Sequence, residues 1–240
     1  MKALMFDVQG TATDFYTPVL SALEEASGGR SPETDWGAFV NEWRSMYFEA
    51  VDDIQQSRDD WVSVHAVYRA ALDELLMAYS ITIFSDEECE KLAGAWQTLT
   101  PWDDVVPGIR RLNERFVTAT LSNADVSAVV RISRSGGIPW NVIFAAEMFG
   151  TFKPHPRIYL EAARFLGLPP KDIMMVASHK YDIRAAAALG FRTAFVARPH
   201  EYGPSVHADT KFEDEFDINA RDFLDLADQL DCPPLPNSSV

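Results

Sequence analysis

Only two cysteines occur in this chain, Cys89 and Cys232, far apart and without CxxC spacing. Neither a thiolate metal cluster nor a disulfide framework can be built from them. Basic residues are also scarce: 21 Lys and Arg stand against 36 Asp and Glu, a formal net charge of −15. A nucleic-acid partner is therefore not expected, because phosphate contacts need Lys and Arg to displace counterions. An acidic surface can still enclose a locally basic pocket for a small anion. No apolar run of about 18 residues is present, so no membrane-spanning helix is expected. The chain begins on strand-like residues without a basic leader segment, which places it in the cytoplasm as an expectation.

What is present is enough for a full core, with 47% hydrophobic and 24% charged residues. Short apolar runs at 2–6, 116–121, 142–145, 173–177 and 193–197 are bounded by turn residues. Helical patterns separate them at Val126–Ser135, Pro156–Leu166 and Tyr181–Leu189. Alternation of this kind predicts βαβ units, an α/β fold with a Rossmann-like parallel sheet. Residues 15–98 read differently. Helical periodicity runs through Val19–Glu25, Trp36–Ile54, Trp61–Tyr79 and Asp86–Thr98, with Phe39, Val40, Trp43, Met46 and Tyr47 on one face. The expectation is a core of residues 1–14 and 99–231 with an inserted all-helical cap at 15–98. The Pro/Ser-rich tail, 232–240, is expected to be disordered.

Polar residues gather at the ends of the apolar runs, where open parallel sheets place their sites. Asp7 follows Leu4-Met5-Phe6 and precedes Gln9-Gly10-Thr11. A carboxylate there can act as a nucleophile that forms an ester, although a lone Asp before Gly-Thr is more often a turn residue. Ser122 and Asn123 end the run Thr118–Leu121 and can donate to a carboxylate or cap the next helix. Lys153, between Phe152 and Pro154, is a compact cation that can keep Asp7 ionised and attract an anion. Ile173–Ala177 leads into Ser178-His179-Lys180-Tyr181-Asp182.

The order D-x-x-G-T, S-N, K-P-x-P and a late Asp resembles the haloacid dehalogenase superfamily over essentially the whole chain. The stretches Leu99–Trp102, Gly137–Trp140 and Thr193–Pro199 are similar to the type II branch, the (S)-2-haloacid dehalogenases. That resemblance implies Asp7 as nucleophile, Lys153 as active-site lysine with Tyr159 beside it, and Asp182 orienting Lys153 or the attacking water. It also implies Arg44 and Tyr181 around the departing halide, and Gly10 and Thr11 near the developing oxyanion. Where the superfamily's phosphatases carry a second Asp this chain has Gln9, which can neither donate a carboxylic proton nor contribute charge to Mg²⁺. No metal and no cofactor are therefore expected. The late block departs from the S-S-N-x-x-D pattern: Ala177 removes a hydroxyl and His179 replaces an asparagine. A histidine is the better general base.

The implied activity is hydrolysis of a small 2-substituted carboxylic acid. Asp7 attacks the α-carbon, an ester forms, and a 2-hydroxy acid is released. Ser122, Asn123 and Lys153 hold the substrate carboxylate. The first expectation is an (S)-2-haloacid dehalogenase; the same machinery opening a strained ring such as L-azetidine-2-carboxylate is the alternative. A Mg²⁺-dependent phosphatase and a non-catalytic scaffold rank behind. Relatives are often homodimers, though no residue here marks an interface.

Overall fold

The computed structural model describes residues 1–57 and 61–234. The chain opens with β1 (Ala3–Phe6) and a short β2 (Thr13–Asp14), then four helices: α1 (Tyr16–Ser27), α2 (Trp36–Ser57), α3 (Val64–Ala78) and α4 (Asp86–Ala95). A two-residue β3 (Thr100–Pro101) pairs antiparallel with β2. This ribbon ties together the points where the chain leaves and re-enters the sheet region. Next come α5 (Val105–Leu112), β4 (Val117–Thr120), α6 (Val126–Gly136), α7 (Pro156–Leu166) and β5 (Ile173–Ala177). The chain ends with α8 (Lys180–Ala188), β6 (Arg192–Val196), β7 (Ile218–Ala220) and α9 (Phe223–Gln229).

The main sheet has five strands in the order β4-β1-β5-β6-β7, all parallel. The α/β class read from the sequence is what the chain adopts. Both faces are covered, which is why β1 and β5 read as unbroken apolar runs. Met5, Met175 and Phe195 pack into one core with Ile132, Ile158 and Ile183; Leu4, Phe6 and Val176 pack into another with Ile109, Phe223 and Leu226. The chain order reverses at β1, so the crevice beyond its C-terminal end is the topological switch point. Asp7 lies there.

The helical expectations at 36–54 and 156–166 hold closely. Trp36 starts α2, whose Phe39, Val40, Trp43 and Tyr47 are buried, and Pro156 opens α7. The sequence pattern did not mark α5, α9, the edge strand β7 or the two-residue strands β2 and β3. The run at 142–145 is not a strand but touches β4 through two isolated bridges, Ala119 with Val142 and Ser122 with Ala145. In the tail, Cys232 is buried and its carbonyl accepts from Arg111; residues 235–240 lie outside the described residues. Among the described residues no helix is long and apolar enough to cross a membrane.

Candidate active site

The tips of β1, β4 and β5 and the loop before α7 bring the four sequence blocks together. Asp7 is 5% exposed. One carboxylate oxygen accepts from Lys153 Nζ at 2.9 Å; the other accepts from Thr11 Oγ1 at 2.7 Å and faces His179 Nδ1 at 3.2 Å. Burial alone would raise its pKa, but Lys153, His179 and Thr11 together hold it well below the usual carboxylate range. Asp7 is therefore an ionised, desolvated carboxylate, the state a nucleophile needs.

Lys153 is buried and bridges Asp7 and Asp182. Asp182 is inaccessible to solvent, and its second oxygen accepts from Tyr159 Oη at 2.6 Å. Burial pushes Asp182 up, opposed by Lys153 and reinforced by the charge of Asp7. Tyr159 thus holds Asp182, and Asp182 in turn pairs with the ammonium that meets Asp7. Tyr159 stands behind Lys153 rather than in the cavity wall.

The cavity beside Asp7 is lined by Gln9, Arg44, Tyr47, Phe48, Ser122, Asn123, Lys153, His179 and Tyr181. Ser122 Oγ is buried without a hydrogen-bond partner. Asn123 is differently disposed. Its amide accepts from Lys153 N at 2.7 Å and donates to Lys153 O at 3.0 Å. The side chain therefore clamps the lysine's backbone, and Ser122 Oγ is the polar atom of this pair left without a partner in the cavity wall. Of the backbone donors near Asp7, Gly10 N is already bonded to Thr13 O at 3.0 Å.

Arg44 reaches the site from α2 and is 4% exposed. Its guanidinium lies 5.1 Å from the Phe15 and Tyr47 ring centres, 4.5 Å from Phe48 and 5.7 Å from Trp96. Such distances are in the cation–π range, and the quadrupoles stabilise a charge that water cannot reach. Nη1 donates to Gln9 Oε1 at 2.8 Å and to the Tyr68 hydroxyl, while Nε is buried without a partner. The rings around Arg44 are thus Phe15, Tyr47, Phe48 and Trp96. Tyr181, 42% exposed, instead stacks on His179 at 5.9 Å.

His179 is held between two carboxylates, with Nε2 at 2.7 Å from Glu201 Oε1. Burial disfavours the charged ring, yet Glu201 and Asp7 outweigh it and raise the pKa from 6.5 to about 10. In the resting site the ring is an imidazolium. Glu201 itself is 2% exposed. Gly10 explains how it fits: at φ +89° a Cβ there would lie 2.2 Å from Glu201 Oε1. The turn at Gly10 and Thr11 is braced from behind, because Trp102 Nε1 donates to Gly10 O at 2.9 Å and Arg198 Nε to Thr11 O at 2.7 Å. Glu201 was not among the residues picked out from the sequence, but it follows the β6 tip. The strand-tip logic that selected Asp7 and His179, extended to β6, points to it.

Residues 1–190 match the family model of the haloacid dehalogenase-like hydrolases. A solved structure of a defluorinating L-2-haloacid dehalogenase is 36% identical with a TM-score of 0.91, over 96% of this chain and 95% of that one. Another L-2-haloacid dehalogenase structure is 34% identical with a TM-score of 0.88, over 96% and 99%. An (S)-2-haloacid dehalogenase from Pseudomonas fluorescens is 28% identical over 82% of this chain and 85% of its own. The chain is a hydrolase and belongs to the haloacid dehalogenase-like family, in the branch of the (S)-2-haloacid dehalogenases.

Proposed function

We propose that this protein is an (S)-2-haloacid dehalogenase, working on small 2-halocarboxylic acids with the helical unit of residues 15–98 as its cap. The observation that carries this reading is the pairing of an ionised, buried Asp7 with an Arg44 cation walled by four aromatic rings, both lining one cavity. The substrate carboxylate takes Ser122 Oγ and the field of Lys153. Asp7 attacks the α-carbon from the side opposite the carbon–halogen bond. That bond breaks as the ester bond forms, and the halide leaves toward Arg44, a weakly hydrated cation suited to a weakly hydrated anion.

Ester formation removes the negative charge of Asp7. His179 then keeps one anionic neighbour instead of two, its pKa falls, and it releases a proton. The neutral ring takes a proton from the water that attacks the Asp7 carbonyl. Collapse of the tetrahedral species returns Asp7 as carboxylate, beside an imidazolium, and frees the inverted 2-hydroxy acid. One proton and one halide are released per turnover, as hydrolysis requires. Gln9 supports chemistry at carbon over phosphoryl transfer: its amide oxygen accepts from Arg44, and it offers no charge to a divalent cation.

The test is repeated turnover of L-2-chloropropionate in ¹⁸O-water, followed by mass analysis of the peptide that carries Asp7. Label in Asp7 and in D-lactate, with chloride released, is the expected result. Label in the product alone means that water attacks the substrate directly. Turnover of L-azetidine-2-carboxylate without halide release from any 2-haloacid would move the assignment to ring opening.

A further inference from the structure

The cavity beside Asp7 measures only about 10 Å³, room for about one water. A 2-haloacid is larger. Its walls come from the core (Gln9, Ser122, Lys153, His179) and from α2 of the cap (Arg44, Tyr47, Phe48). Widening this cavity for a substrate moves those two sets of residues apart, and whatever ties them together sets how readily they do.

One tie is unusual. Asp125 is the residue that begins α6, where an aspartate ordinarily caps its own helix. Its side chain makes no such bond; Glu147 Oε2 accepts from Val126 N at 2.7 Å instead. The Asp125 carboxylate, 6% exposed, reaches across to the cap. Oδ1 accepts from Val64 N and Oδ2 from His65 N, each at 2.9 Å. Those are the first two amides of α3. The next two are satisfied within the cap, Ala66 by Ser63 Oγ at 3.2 Å and Val67 by Ser63 O at 3.1 Å. The first turn of α3 is thus completed by a residue of the core, and its positive end faces a buried carboxylate.

The same loop carries the chemistry. Ser122 lies three residues before Asp125, Asn123 clamps the backbone of Lys153, and Asn123 O accepts from Tyr47 Oη of α2 at 2.8 Å.

We infer that Asp125 is a positioning residue, a latch by which the loop bearing Ser122 grips the N-terminus of α3 and sets the rate at which the cap opens. The latch is made in the free closed form and, on this reading, in the closed complex, and is broken only when the site opens. Its loss speeds entry and exit together and leaves the equilibrium nearly unchanged. The inference rests on the dehalogenase reading only for its choice of ligand.

The experiment compares the full-length parent, Asp125→Ala, Asp125→Asn and Ser63→Ala. Amide hydrogen exchange at Val64 and His65 is read without ligand. Stopped-flow tryptophan fluorescence reads binding of D-lactate, the product of the proposed reaction. Asp125→Ala is expected to raise exchange at both amides by about tenfold, the size of one lost helix cap. It is also expected to raise the association and dissociation rates for D-lactate together, with Kd within about threefold of the parent. Asp125→Asn, which keeps one acceptor, should fall between. Ser63→Ala should loosen Ala66 and leave the binding rates alone. Unchanged exchange at Val64 and His65 overturns the latch, as does a Ser63→Ala variant that accelerates binding as much as Asp125→Ala. A parent that gives no response to D-lactate counts against the dehalogenase assignment instead, and exchange then decides the latch by itself. Should Asp125→Ala fail to fold, Asp125→Asn carries the same readouts.

Discussion

Glu201→Gln tests the proposed division of labour between Asp7 and His179. A carboxylate can only accept, so the 2.7 Å contact of Glu201 Oε1 requires a proton on His179 Nε2 and leaves Nδ1, facing Asp7, as the nitrogen that turns basic. An amide of the same size keeps the packing against Gly10 but carries no charge. It can also donate to Nε2, which populates the wrong tautomer. A hydrogen bond to a charged group contributes about 1.5–3 kcal/mol, and 1.36 kcal/mol corresponds to one pKa unit. The resting pKa of about 10 should therefore drop by roughly 1–2 units. Alkylation of Asp7 does not use His179 as a base and should change by no more than about threefold. Hydrolysis of the ester does use it, and should slow by about tenfold to a hundredfold, within the range general-base catalysis supplies. Rapid quench with intact-mass detection separates the two steps: the ester should accumulate in Glu201→Gln and stay scarce in the parent. An ester that turns over at the parent rate in this variant would remove His179 from the base role.

Lys153→Met removes the cation shared by Asp7 and Asp182 and leaves two buried carboxylates facing each other. Breaking a buried pair costs about 3–5 kcal/mol, so thermal melting should fall by roughly 6–20 °C, alongside loss of activity. Gly10→Ala sets a Cβ against Glu201 Oε1 in a backbone region that L-residues avoid; turnover should fall and ester accumulate, because Glu201 and His179 must shift. The pH dependence of stability follows from the sign of the His179 shift. A folded pKa raised from 6.5 to about 10 gives a contribution fully present below about 6.5 and lost as pH rises toward 10. Denaturant melts from pH 6 to 10 should show the parent losing stability relative to His179→Gln; parallel curves would mean that the imidazolium is not paired as described.

The sequence by itself marked four of the five strands of the main sheet and most of the residues that gather around Asp7. β1 and β5 were legible because strands buried on both faces need not alternate, and an unbroken apolar run ending in turn residues is a strong local signal; β4 and β6 carry threonines and were legible as short runs bounded by turn residues. Asp7, Ser122 and His179 were legible because each sits at or beside such a tip, and the tips of a parallel sheet converge; Lys153 and Asp182, in the loop before α7 and in α8, were marked by the family resemblance. β7 was not legible: Ile218–Ala220 is a short edge strand with little pattern of its own. The run at 142–145 has strand-like residues but lies outside regular pairing, which is a matter of tertiary position.

Tertiary structure alone decided what each polar atom touches. Periodicity placed Arg44 on a helix but could not say that Phe15, just before α1, and Trp96, just after α4, would join Tyr47 and Phe48 of its own helix around it. The pattern Ser122-Asn123 looked like two substrate donors, yet Asn123 turns to the Lys153 backbone and Ser122 remains. Tyr159 and Tyr181 read alike as site residues, and packing put one behind the lysine and the other over His179. Asp125 carried no local mark, because a lone acidic residue in a chain with 36 of them is ordinary. Hydrophobic pattern is a property of neighbours in sequence, so it survives in the string of residues. Hydrogen-bond partners separated by 60 or more positions, such as Asp125 and Val64 or Asp7 and Lys153, exist only once the chain has closed on itself.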